Sequence, residues 1–176
     1  MEKNTAIEQA SNFSQKEVST IIWPKEYLPE NADIHVSNEI YINASPELVW
    51  NWIINAPLWP KWYKHATNVQ ITNQDENYLI EGTKFSWNVF GHPVQCIVPE
   101  YIQNERLSWI VRGDGIVAYH AWLIKKTDDG CYVLTEETQQ GPAVIAGKKE
   151  QTNMMYDARQ FWLEQLKKKV EEEVCL

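Results

Sequence analysis

After His65 the chain alternates strand-like runs with breaks that leave room for little more than a reversal of direction. The runs are roughly 67-TNVQIT, 83-TKFSWNVF, 94-VQCIVPEYI, 106-RLSWIVR, 115-GIVAYHAWLIK and 130-GCYVLTEETQQ. The breaks 91-GHP, 103-QNE, 112-RGDG and 127-TDDG are rich in residues that take turn geometry at little cost. Parallel neighbours need long crossovers, so strands joined this closely are antiparallel. Pro99 falls inside one run and marks an edge or a bulge there, since it cannot donate to a ladder.

Upstream, 34-IHVSNEIYI places Ile34, Val36, Ile40 and Ile42 on one face, with Asn38 the exception, and reads as a half-buried strand. Ser45 is placed to N-cap a helix that starts at Pro46. On that helix Val49, Trp50, Ile53 and Ile54 span one arc, Leu48 and Trp52 lie opposite, and Asn51 is left for water, so more than one side must be covered. Pro57 and Pro60 break it, and 58-LWPKWY predicts a second short turn or helix. At the other end Met155, Ala158, Trp162 and Leu166 form a helical stripe with Phe161 and Val170 beside it. This predicts a helix from the late 140s to about residue 172, with 167-KKK facing solvent.

Residues 1–31 differ from the rest. Their start is polar and aperiodic, and 23-WPKEYLPEN holds two prolines, so they read as a partly irregular N-terminal arm that packs on the domain through Ile21, Ile22 and Trp23. Residues 32–176 read as a single domain. Sixteen Lys and Arg against twenty-four Asp and Glu give a net charge of −8, which argues against nucleic acid or an anionic membrane surface as partner. No window approaches the roughly 18 apolar residues of a membrane span, and no cationic segment followed by an apolar run opens the chain. Cys96, Cys131 and Cys175 are too few and too scattered for a disulfide framework or a zinc signature. Cys96 and Cys131 read as buried apolar residues, and Cys175 as exposed. A reduced, cytoplasmic protein is expected, with no cofactor and no metal.

The element order is strand, short helix pair, about six antiparallel strands, long helix. A twisted antiparallel sheet needs one face covered, and one amphipathic helix can lie across it. A lone helix is expected to leave part of a strongly curved sheet unfilled, and so to create a cavity on the concave face.

In that order and spacing, 39-EIYINASPELVWNWI, 59-WPKWY, 82-GTKFSW, 105-ERLSW, 120-HAW, 129-DGCYVLTEE with Gly141, and 161-FWLEQLKKKVEE resemble the START-like, Bet v 1-like (SRPBCC) superfamily. The nearest part of it is the bacterial polyketide cyclase/dehydrase branch, and the resemblance covers about residues 33–172. It implies an α+β helix-grip fold: a seven-stranded curved antiparallel sheet, two short helices after the first strand, and a long C-terminal helix over a cavity. Such proteins include lipid and sterol carriers, plant hormone binders, aromatic polyketide cyclases and co-chaperones of Hsp90. The fold sets a prior on function and no more.

The candidate ligand-binding residues are Phe85, Trp87, Trp109, His120, Trp122, Glu137 and Met155. Phe85 and Trp87 share a strand face, as do Leu107 and Trp109, and His120 with Trp122; facing inward, these rings line the cavity with flat aromatic surface. They can equally be the core beneath the terminal helix. A histidine near Glu137 or Glu136 in an apolar hollow can move protons, although a hydrogen-bonded wall residue is the commoner outcome. Arg112 reads as a surface arginine, or as a carboxylate ligand at the cavity mouth. Trp50 reads as core, and Trp59 and Trp62 as packing near a cavity entrance. His35, His65, His92 and His120 lack metal-site spacing, and no phosphate loop, nucleophile elbow or Cys–His pair is legible. Three functions follow: binding of a small hydrophobic or aromatic molecule, lipid- or polyketide-like, in the cavity; cyclase or dehydratase chemistry there; or an Hsp90-co-chaperone-like interaction surface. The ligand, the catalytic residues if any, and the oligomeric state are open.

Overall fold

The computed structural model describes residues 21–175. Seven antiparallel strands form one sheet in the order β1-β7-β6-β5-β4-β3-β2. They are β1 Ile34–Ile42, β2 Ala66–Ile71, β3 Lys84–Val89, β4 His92–Ile102, β5 Arg106–Gly113, β6 Ile116–Lys126 and β7 Cys131–Gln140. The short breaks join sheet neighbours from β3 to β7, as turn chemistry requires. The two helical pieces after β1 carry the chain across the sheet to its far edge, so β1 and β2 are the two ends of the grip. At Pro99 the β4–β5 register shifts between Ile97 and Glu100, so the proline sits at a bulge of an inner strand rather than on an edge.

Helix α1 is Pro46–Ile54, and its Ser45 cap accepts the Leu48 N–H at 3.3 Å. A 3-10 segment, Ala56–Lys61, follows it. After β7 come a single turn of helix, α2 Pro142–Ala146, and the long α3 Lys148–Val174. Gly141 makes this passage possible: its φ is 130°, and a Cβ there would lie 2.2 Å from the Gly115 carbonyl oxygen.

The two sheet faces bury different sets. On the concave face, residues from every strand pack with Val49, Trp50 and Ile53 of α1 and with Trp162, Leu163, Leu166 and Val170 of α3. Asn38, the polar exception on the inner face of β1, is 2% exposed and donates through Nδ2 to the Tyr156 carbonyl and to Gln160 Oε1 of α3, each at 3.2 Å. It ties the helix to the sheet edge. On the convex face Tyr119, Ala121, Leu123 and Leu134 are covered by Ile21, Trp23 and Tyr27. Tyr27 stacks on Tyr119 at 5.4 Å, and the Tyr27 carbonyl accepts from Thr138 Oγ1. Ile22, also expected to pack, is 62% exposed; it alternates with Ile21 and Trp23 and so points away from the sheet. Cys96 and Cys131 are buried, burial pushing each thiol up to about 12, while Cys175 is exposed.

Candidate functional site

Strand alternation and register assemble the interior. Trp109 on β5 stands opposite His120 on β6, which stands opposite Glu137 on β7; Trp122 stands opposite Thr135 one inward step along. Phe85 and Trp87 enter from β3. Six of the seven candidate residues therefore meet on one face. Met155 does not join them: it packs with Ile34, Val36 and Val144 nearer the start of α3. Glu136 points to the other face, where His35 Nε2 lies 3.1 Å from its carboxylate. Arg112 is exposed.

Trp162 of α3 is the hub of this face. Its ring centroid lies 4.5 Å from Tyr63, 5.2 Å from Trp59, 5.3 Å from Trp122, 5.6 Å from His120, 5.7 Å from Trp87 and 6.3 Å from Trp109. Trp59 is fully buried and donates its indole N–H to the Ile53 carbonyl at 3.0 Å. It is therefore core, whereas Trp62 is only half-buried. The expected hollow beneath a lone helix is thus occupied by rings. The covering layer has two parts, α3 and the proline-broken segment, and both contribute large aromatics where aliphatic side chains would leave space.

Set into these rings is a buried charged network. Arg159 of α3, 6% exposed, donates from Nε to Glu137 Oε2 at 2.7 Å and also from Nη2 to the same oxygen. Gln139 Nε2 donates to Glu137 Oε1 at 2.8 Å. The guanidinium also lies over the Trp162 ring, 5.6 Å from its centroid. Burial lowers the Arg159 pKa, and the Glu137 carboxylate outweighs it, leaving the group above its ordinary value and charged. Burial likewise pushes the neighbouring Tyr63 phenol up, so it stays protonated.

His120 is held from two sides. Its Nε2 lies 2.7 Å from Thr135 Oγ1, which is also 3.1 Å from the Ala121 carbonyl. Its Nδ1 lies 3.4 Å from Glu137 Oε2, outside hydrogen-bond geometry. Burial first, and the Arg159 charge second, hold the His120 pKa well below the usual imidazole range, so the ring is neutral at neutral pH.

Several buried polar atoms here have no hydrogen-bond partner among the described residues. They are the indole nitrogens of Trp87, Trp109, Trp122 and Trp162, the Tyr63 hydroxyl, Arg159 Nη1 and His120 Nδ1, of which Tyr63 and Arg159 interact with each other. The four indole nitrogens are donors without an acceptor. The interior is thus a packed aromatic box with unused hydrogen-bond donors.

Sequence reasoning passed over Arg159, Tyr63, Trp59 and Trp162 as site residues. Arg159 left a readable signal, because it falls on the buried stripe four residues after Met155 and three before Trp162. Tyr63 left none, lying beyond two prolines in a segment without periodicity.

The chain belongs to the family described as polyketide cyclase / dehydrase and lipid transport, whose model matches residues 33–171. Its fold is the START-like helix grip, and the family places it in a ligand-binding or cyclase-type role. Among solved structures it is similar to a hypothetical protein, jhp0584, from Helicobacter pylori, with 32% identity, 85% of this chain and 95% of that one covered, and a TM-score of 0.78. It is also similar to a START superfamily protein from Mycobacterium smegmatis, at 14% identity, 78% and 97% coverage and a TM-score of 0.66. A third similar structure is DynU16, a putative protein in the dynemicin biosynthetic locus, at 13% identity, 78% and 47% coverage and a TM-score of 0.60. The last two likenesses concern the fold alone. No curated protein matches the chain. No described helix is long and apolar enough to cross a membrane.

Proposed function

We propose that the protein binds a small, ring-bearing molecule with oxygen acceptors between the concave sheet face and α3. Trp87, Trp109 and Trp122 form the wall, and Trp162 moves aside with the helix to admit the guest. One observation carries this reading: the cluster of unpartnered buried donors around Trp162 and Arg159. A buried polar group left unpaired costs about 1–3 kcal/mol, so a guest offering acceptors to several of them gains what the closed form lacks. The rings that fill the closed interior make movement of α3 part of the proposal. Polyketide-like or other polycyclic oxygenated compounds fit this donor set better than plain fatty acids. A cytoplasmic location without a nucleic-acid partner belongs to the same reading, supported by the net charge of −8.

The test is a thermal-shift screen against flavonoids, aromatic polyketides, sterols and fatty acids. At a hundredfold excess over Kd, binding stabilises by about 2.7 kcal/mol, a rise of about 5 °C or more for a domain of this size. Oxygenated aromatics are expected to lead the ranking, and a flat response across the panel would count against the proposal.

A cyclase-type activity is the second reading, favoured by the convergence of His120, Glu137, Arg159 and Tyr63 on one buried spot. Burial and the Arg159 charge make His120 a weak base in the closed form, so it takes a proton from a bound substrate only where Arg159 and Tyr63 steady the oxygen that gains charge. His120→Ala should then abolish turnover of a cyclisable substrate while leaving its binding in place; unchanged turnover removes His120 from any mechanism.

A further inference from the structure

The acidic surface is unevenly charged. Between the 3-10 segment and α3 lies an open cleft of about 370 Å³ ringed by Lys61, Lys64, Lys168 and Lys169, with Trp62 and Phe161 among its lining. Glu172 is the one carboxylate at its edge. Among the described residues none of the four lysines is ion-paired within 4 Å. Two of them are held over rings instead: Lys64 Nζ lies 4.9 Å from the Phe161 centroid, and Lys169 Nζ lies 5.0 Å from that of Trp52. The Trp62 indole nitrogen is buried and has no partner, whereas the neighbouring Trp52 nitrogen donates to Glu173 at 2.7 Å.

Two independent features converge: an excess of cations, and the flat rings of Trp62 and Phe161 in the same lining. We propose that this cleft binds a small aromatic anion, its ring against Trp62 and Phe161 and its carboxylate, sulfonate or phosphate among the ammonium groups. The volume is that of a small-molecule site. The cations converge on one cleft instead of running as a stripe, which is the arrangement for a compact anion rather than a polyanionic chain. The proposal does not rest on ligand binding in the interior, since the cleft is open as it stands.

The test is a fluorescence titration of the full chain with the anionic probe 1-anilinonaphthalene-8-sulfonate and, separately, the neutral N-phenyl-1-naphthylamine. Saturable binding of the anionic probe is expected, weakening several-fold as salt rises from about 50 to about 500 mM. Lys64→Gln with Lys168→Gln should weaken it about tenfold while leaving the neutral probe unaffected, as two charge-assisted contacts are lost. Trp62→Ala removes a ring from the cleft lining and should weaken binding of the anionic probe several-fold. Lys25→Gln with Lys84→Gln, exposed lysines elsewhere, should change nothing. The proposal is overturned if the Lys64/Lys168 variant binds like the parent, or if both lysine pairs have equal effects. Trp162→Ala separates the two sites: a change in the anionic probe there with none in the lysine variant places the probe in the interior and also overturns the cleft.

Discussion

Tyr63 lies flat against Trp162, with ring centroids 4.5 Å apart and ring planes 3° from parallel. This stack joins the segment after α1 to the middle of α3, so both parts of the cover over the concave face are locked through one pair of rings. Any guest that enters beneath α3 must first separate them.

Truncating the hub should therefore do two things. Trp162→Ala is expected to cost about 3–5 kcal/mol in denaturant unfolding, the usual cost of deleting a large buried aromatic. It should also leave a ring-lined hole bordered by polar groups that can hold water, so that indole or phenol, inert toward the parent, displaces that water and raises the melting temperature of the variant. A variant that loses stability but gains no such response has collapsed around the deletion.

The Arg159–Glu137 pair is buried on both sides. Removing one partner strands the other, so Arg159→Met and Glu137→Leu should each destabilise by about 3–5 kcal/mol. Together they should recover much of that loss, because two apolar groups replace two charges. A double-mutant cycle by urea unfolding measures the coupling; simple additivity of the two losses would show that the pair does not act as a unit.

Stability should fall on mild acidification through His120. Its folded pKa is depressed, so below about pH 6.5 the unfolded chain takes up a proton that the folded chain refuses. The stability is present above that pH and is lost as pH falls, at up to about 1.4 kcal/mol per pH unit for one such proton. Glu137 and Arg159 flank the ring, and Trp109, Trp122 and Trp162 enclose it. His65, whose pKa is also lowered chiefly by burial, adds to the same slope. Melting curves between pH 5 and 7 should be flatter for His120→Gln than for the parent, and parallel curves would remove His120 as a source.

We propose that the N-terminal arm belongs to the folded unit. Trp23 lies 5.6 Å and Tyr27 5.4 Å from Tyr119 on the convex face. Tyr27→Ala should cost about 1–3 kcal/mol through lost aromatic burial and stacking. Deleting residues 1–31 should lower the melting temperature further and uncover Leu123 and Leu134, read as increased self-association in sedimentation velocity. An unchanged melting temperature on deletion would make the arm a passenger.

Much of this architecture is legible in the residues because it is written in short-range rules. Turn residues at 91, 103, 112 and 127 dictate antiparallel neighbours, and alternation in 83-TKFSWNVF and 106-RLSWIVR sends Trp87 and Trp109 to the same face. The filling of the concave face was not legible. It depends on the depth to which Trp162 reaches and on where a proline-broken segment delivers Trp59 and Tyr63, and no periodicity encodes either. Arg159 was hidden for a different reason: a charge on a helical stripe is ordinarily read as a boundary residue, and its partner Glu137 lies 22 positions away on another element. Residues 1–20 of the arm lie outside the described residues.

The central claim, that the donors around Trp162 are there to be used by a guest, is tested most directly by the indole N–H signals in ¹H–¹⁵N spectra, assigned by single Trp→Phe variants. With saturating oxygenated aromatic ligand from the thermal-shift panel, the Trp109, Trp122 and Trp162 signals should move, as free N–H groups gain acceptors. Those of Trp52 and Trp59, already bonded to Glu173 and to the Ile53 carbonyl, should move far less. If the three interior signals stay fixed under every compound in the panel, the interior is a packed core and binds nothing.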